Sequence, residues 1–71
     1  MILEFEDLDK REAMLKFEEL LEEARDQGES LDVTITTGDN YEVSGDILAL
    51  IDELELDHDV ELGGVIKVTL E

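Results

Sequence analysis

The sequence contains no cysteine, which excludes disulfide staples and thiolate metal centres. Aromatic residues are few (Phe5, Phe17 and Tyr41), so the core is expected to be aliphatic and small. No apolar run approaches the roughly 20 residues needed to cross a bilayer. The opening MILEFEDLDK has no basic stretch ahead of an apolar one, so a secretory signal is not expected and the chain reads as cytosolic. Basic residues are the scarcest charge: 5 Lys and Arg stand against 22 Asp and Glu, a net of −17 in 71 residues. A surface of that sign repels nucleic acid and anionic lipid and attracts basic proteins or cations.

What is present argues for a folded chain. Hydrophobic residues make up 42% of the sequence, whereas disordered acidic tails are poor in them. The length fits one domain, residues 1–71, near the lower limit for a self-supporting core.

Alternation in ILEFE puts Leu3 and Phe5 on one side and Glu4 and Glu6 on the other, as in a short strand. Asp9 followed by Glu12 has the spacing of a capping box, and Gly28 is a natural helix stop. The helix between them buries Ala13, Phe17, Leu20, Leu21 and Ala24 and turns Arg11, Leu15, Glu18, Glu19, Glu22 and Asp26 outward. Leu15 is the apolar exception on that face. LDVTITT alternates strictly as a strand, Gly38-Asp39-Asn40 reads as a turn, and YEVSG is expected to return as the second strand of a hairpin. Residues 46–56 fit a helical stripe through Ile47, Leu48, Leu50, Ile51 and Leu54, and the same residues fit a long buried strand. DHDVELGG reads as a loop, partly extended, and VIKVTLE as the last strand.

The expected fold is α+β, with β-α-β-β-α-β order and helices on one face of a mostly antiparallel sheet. If residues 46–56 were strand, the alternative would be an N-terminal helix followed by a small Sm-like barrel.

Signs of chemistry are sparse. His58 is the only histidine, and Ser30, Ser44 and Tyr41 are not spaced to meet it. Carboxylate pairs are too abundant for any one pair to mark acid–base catalysis. DHDVE offers alternate carboxylates, but a calcium loop starting at Asp57 would need glycine and glutamate where Leu62 and Val68 stand. No metal site, cofactor or enzyme activity is expected. GESLD has some likeness to the attachment site of acyl carrier proteins, with Ser30 as the modified residue. In that family an aspartate precedes the serine, which opens a helix; here Glu29 precedes it and VTITT follows.

The acids remain to be explained, and they occupy every element. A merely soluble small domain needs a net charge of magnitude only about 2–8. Halophilic solvation is one cause, but such chains favour Asp and Ala, and this one has 13 Glu to 9 Asp and 3 Ala. Polyanion mimicry is the other. In EELLEEARD, the pairs Glu18/Glu19 and Glu22/Glu23 lie one helical turn apart, about 6 Å at 1.5 Å per residue. Duplex DNA carries one charge per roughly 1.7 Å of axis.

In size and charge the whole chain resembles the small phage-encoded acidic DNA mimics: uracil-DNA glycosylase inhibitors, anti-restriction proteins and some anti-CRISPR proteins. It is most similar to phage inhibitors of the nucleoid protein HU, of the kind a lytic Bacillus phage encodes. These mimics share no motif, so no residue roles are carried over. The resemblance implies a host-takeover role in the cytoplasm, occupying the DNA-binding surface of HU.

The expected function is therefore a protein inhibitor that competes with DNA for a basic host protein, HU foremost. On physical grounds the partner surface is expected at Leu15, Glu18, Glu19, Glu22, Glu23 and Asp26 on the helix, and at Asp52, Glu53, Glu55, Asp57 and Asp59 further on. Leu15 could anchor the partner, seal a homodimer, or cover a neighbouring element if the helix phase differs. The alternatives are an acidic halophilic or structural domain without a specific basic partner, and a carrier protein modified at Ser30.

Overall fold

The computed structural model describes residues 1–70. Six elements follow in the order β1 (Ile2–Glu4), α1 (Lys10–Gln27), β2 (Leu31–Thr36), α2 (Tyr41–Glu53), β3 (His58–Glu61) and β4 (Val65–Leu70). They form a single α+β domain in which two helices lie on a four-stranded, mostly antiparallel sheet of order β1-β2-β4-β3.

The topology explains why the helices share a face. β1 pairs parallel with β2, while β4 runs antiparallel to both β2 and β3, so β1, β2 and β3 all point the same way. β1-α1-β2 and β2-α2-β3 are thus two parallel crossovers stepping in the same direction across the sheet. Crossovers of this kind are almost always right-handed, which puts both helices on one side. β4 then returns into the gap between β2 and β3.

Inward-facing residues of the sheet (Phe5 beyond β1, Val33 and Ile35 of β2, Ile66, Val68 and Leu70 of β4) meet two helical stripes. These are Ala13, Phe17, Leu20 and Ala24 of α1, and Val43, Ile47 and Ile51 of α2. The core is aliphatic around two phenylalanines, as the composition requires.

The ends of α1 fall where the sequence puts them. The Asp9 carboxylate accepts from the Glu12 N–H at 2.9 Å, and Gly28 terminates the helix at φ 67° with its N–H bonded to the Ala24 and Arg25 carbonyls. The first turn of α2 is a correction. Tyr41–Gly45 is not the return strand of a hairpin but the start of the helix, and the antiparallel partner of β2 is β4. Asn40 decides this. Its side-chain oxygen accepts from the Val43 N–H at 3.4 Å as an N-cap, while its amide nitrogen donates to the Leu8 carbonyl at 3.0 Å and the Glu6 carbonyl at 3.3 Å. One side chain thus starts α2 and fastens the β1–α1 loop to it. Residues 46–53 are helical, so the barrel alternative does not describe this chain. The expected loop DHDVELGG contains β3, whose pairing with β4 makes the only hairpin in the sheet among the described residues. Glu71, placed in the last strand by its alternation, lies outside the described residues.

That hairpin closes through Leu62-Gly63-Gly64, with φ of 85° at Gly63 and 74° at Gly64. The Gly64 carbonyl accepts from both the N–H (2.7 Å) and the hydroxyl (3.1 Å) of the buried Thr37. A Cβ on Gly64 would stand 2.4 Å from the Gly38 carbonyl oxygen, so only glycine allows this approach.

Candidate functional site: an acidic crest on the helical layer

The outer surface of α1 follows from its period. Opposite the buried line Ala13, Phe17, Leu20, Ala24, the crest is occupied by Arg11, Leu15, Glu19, Glu22 and Asp26, all exposed. Glu18 leans toward α2, and Glu23 leans toward β1 beside Lys16 and Leu3. Leu15 is 53% exposed, so no neighbouring element covers it.

On the α2 side the crest descends into a cleft of about 240 Å³. Leu21, Leu50 and Leu54 form its apolar floor, and Glu18, Glu22 and Arg25 its charged rim. Sequence reading placed these leucines in helical stripes. It did not find the cleft, because the gap between two helices depends on how far apart the packed sheet holds them.

Arg25 and Leu54 line the same cleft, so the C-terminal ends of the two helices lie side by side. Each helix end carries roughly half a negative charge. The last turn of α2 holds no base at all and includes Asp52 and Glu53. Glu55 follows in left-handed backbone at φ 56°. Its N–H bonds to the Asp52 carbonyl, and the Leu56 N–H reaches the Ile51 carbonyl, the reversal in which glycine is the usual residue. Asp26 closes the neighbouring end on α1. Negative dipoles and negative side chains therefore add at one end of the molecule. Two basic groups stand at this end: Arg25 in the last turn of α1, and His58, whose Nε2 is 3.8 Å from Asp52 Oδ1, an ion pair when the ring is protonated.

The expected residues do not all share one surface. Leu15, Glu18, Glu19, Glu22, Glu23, Asp26, Asp52, Glu53 and Glu55 lie on the helical layer or at its end. Asp57 and Asp59 line a shallow depression of about 520 Å³ on the uncovered face of the sheet, with Asp32, Thr34, Lys67 and Thr69. Lys67 is the single lysine there. It binds Glu61 at 2.9 Å, and the hydrogen bond and charge of Glu61 hold its ammonium above the usual lysine range.

Ser30 lies exposed in the loop between α1 and β2 and is followed by strand, not helix. No group of three or more His, Asp or Glu side chains is arranged to hold a metal ion among the described residues. No described helix is long and apolar enough to cross a membrane. No protein-family model, curated protein or solved structure matches this chain.

Proposed function

We propose that this protein is a DNA-mimicking inhibitor whose acidic helical layer occupies the DNA-binding surface of a basic protein, with HU the preferred target. The observation that carries this reading is Leu15, exposed at the N-terminal end of an acidic crest that flanks an apolar-floored cleft. Exposed ion pairs contribute little each, and interfaces draw most of their energy from a few desolvated anchors ringed by polar groups. A crest of acids alone would give steering without residence. A leucine at its end supplies an anchor, and the acids one turn apart supply the charge spacing.

The test is competition. Labelled HU is titrated with the protein at graded salt, with and without duplex DNA. Binding is expected to weaken steeply as salt rises, as it does for ligands that displace DNA counterions, and DNA is expected to exclude the protein. A complex that forms equally well on DNA-loaded HU would defeat the mimicry.

A second reading has one observation in its favour. Acids also cover the opposite face of the sheet, at Glu4, Asp32, Asp57, Asp59 and Glu61, as a general solvation shell would require. In that case thermal stability goes on rising into molar salt and no basic partner is retained.

A further inference from the structure

β3 lies at the margin of the sheet, paired with β4 on one side and with no strand on the other. The Thr69 N–H donates to the Asp57 carbonyl at 3.0 Å, which sets the phase of the ladder, because bonded and non-bonded positions alternate in an antiparallel pair. Asp57, Asp59 and Glu61 therefore direct their backbone groups to β4. His58 and Val60 direct theirs outward, a ready template for another strand.

The side chains set the chemistry of that edge. Asp59 lies opposite Lys67, and Glu61 opposite Val65, on the uncovered face of the sheet. Val60 lies opposite the buried Ile66 on the other face, yet is 56% exposed because α2 does not reach it, and Leu62 just beyond is fully exposed. Sheet edges are commonly blunted by lysine, proline or a bulge. This chain has no proline, and the register of β3 on β4 is continuous.

Protection by acids is selective. A second copy pairing antiparallel through the outward groups of His58 and Val60 would set one of Asp57, Asp59 and Glu61 against another in each such register. Like charges directly opposite destabilise a pair of strands. A strand bearing lysine or arginine at those positions meets no such barrier.

We propose that the β3 edge captures an extended basic segment of a partner protein as a fifth strand, a stretch in which Lys or Arg alternates with apolar residues. The basic side chains face Asp59 and Glu61, and the apolar ones cover Val60. The proposal rests on the basic-partner reading for the sign of the partner only. Its surface is separate from the α1 crest, so the two readings fail separately.

The probe is an N-acetylated, C-amidated octapeptide of four Lys-Val repeats, titrated into the full chain while amide hydrogen exchange is followed by NMR. At saturation, exchange of the His58 and Val60 amides is expected to slow about tenfold or more, the protection given by a strand hydrogen bond. Asp59→Lys with Glu61→Lys is expected to weaken the peptide about tenfold or more, and Leu15→Asp to leave it within about twofold. If the double lysine variant does not fold, Asp59→Asn with Glu61→Gln makes the same comparison with a loss of about threefold. An octapeptide of four lysines followed by four valines is expected to bind several-fold more weakly. Equal binding of that block peptide, unchanged exchange at His58 and Val60, or undiminished affinity in the charge variants each overturns the proposal. So does concentration-dependent protection of those two amides without peptide, which would make a second copy the occupant.

Discussion

Replacing Leu15 with alanine separates an anchor from a packing residue. Fully burying a leucine contributes about 1.5–3 kcal/mol. Leu15 is 53% exposed, so less than half of that is at stake, and alanine recovers part of it through its higher helix propensity. The expected loss of stability is under about 1 kcal/mol, or a fall of no more than roughly 4–8 °C in Tm for a domain of this size. Leu20, five residues further on and facing the core at 8% exposure, is the control. Leu20→Ala is expected to cost about 2–5 kcal/mol. Binding runs the other way. An anchor in a desolvated interface is worth about 2 kcal/mol or more, so Leu15→Ala is expected to raise Kd roughly 30-fold at 1.4 kcal/mol per decade. Glu22→Gln, a rim charge, is expected to raise it about fivefold or less. Calorimetric titration against HU alongside thermal melts gives all four numbers, and sedimentation reports whether the variant changes mass. Affinity within twofold of the parent would refute the anchor, and a shift from dimer to monomer would show that Leu15 seals a homodimer instead.

Other outcomes follow from the same physics. Tm is expected to rise between about 10 mM and several hundred mM NaCl as self-repulsion is screened, and a flat profile would mean that the −17 charge does not strain the fold. Gly64→Ala is expected to cost more than about 3 kcal/mol, since its Cβ would meet Gly38 backbone atoms at 2.4 and 2.7 Å in left-handed backbone; a normal melt would show that this turn can yield. Glu55→Gly is expected to add about 0.5–1 kcal/mol of stability by relieving a non-glycine residue at φ 56°, read as a higher urea midpoint. The Lys67 ammonium titrates above its usual value because of Glu61. Its contribution to folding is therefore complete below the unfolded-state pKa and is lost only as pH rises through the higher folded value. NMR titration of Lys67 in Glu61→Gln should show the midpoint move back down, and an unmoved midpoint would remove Glu61 as its cause.

The parts of the fold legible in the sequence are those where local signals agree. Asp9, the Ala13–Phe17–Leu20–Ala24 stripe and Gly28 each mark α1, and each acts as marked. The alternation of β2 and β4 names their inward residues. Tyr41–Gly45 misled because Tyr-x-Val alternates like a strand and Gly45 weakens a helical reading. The better signal was Val43, Ile47 and Ile51 spaced by four behind an Asn N-cap. β3 left no pattern because all four of its residues are exposed, and what makes it a strand is β4, supplied from outside the segment. Leu15 and the α1 acids could be read because a helix fixes its own outer face. That Asp57 and Asp59 belong to the opposite side of the sheet could not be read, since it depends on the register of β3 with β4.

Three local rules are broken on the helical layer, two of them together at the C-terminal end of α2. Glu55 takes a position where glycine costs least. Asp52 and Glu53 stand at the negative end of a helix that carries no base in its last turn, where the dipole disfavours them. Leu15 stays in water where the basic first turn of α1 gives way to glutamates. A chain selected for stability alone would replace each by a single substitution, and natural sequences tend to depart from local consistency where function asks for it. A solvation shell explains why acids are numerous, since it needs only that they be exposed. It gives no reason to set them against helix dipoles and left-handed backbone, or to leave a leucine exposed at the head of the α1 acids. An interface does: it needs charge and an anchor at fixed places, and it holds them there at a cost in stability that the folded domain has to carry. The proposed partner binding on the helical layer would account for where these residues are as well as for how many there are.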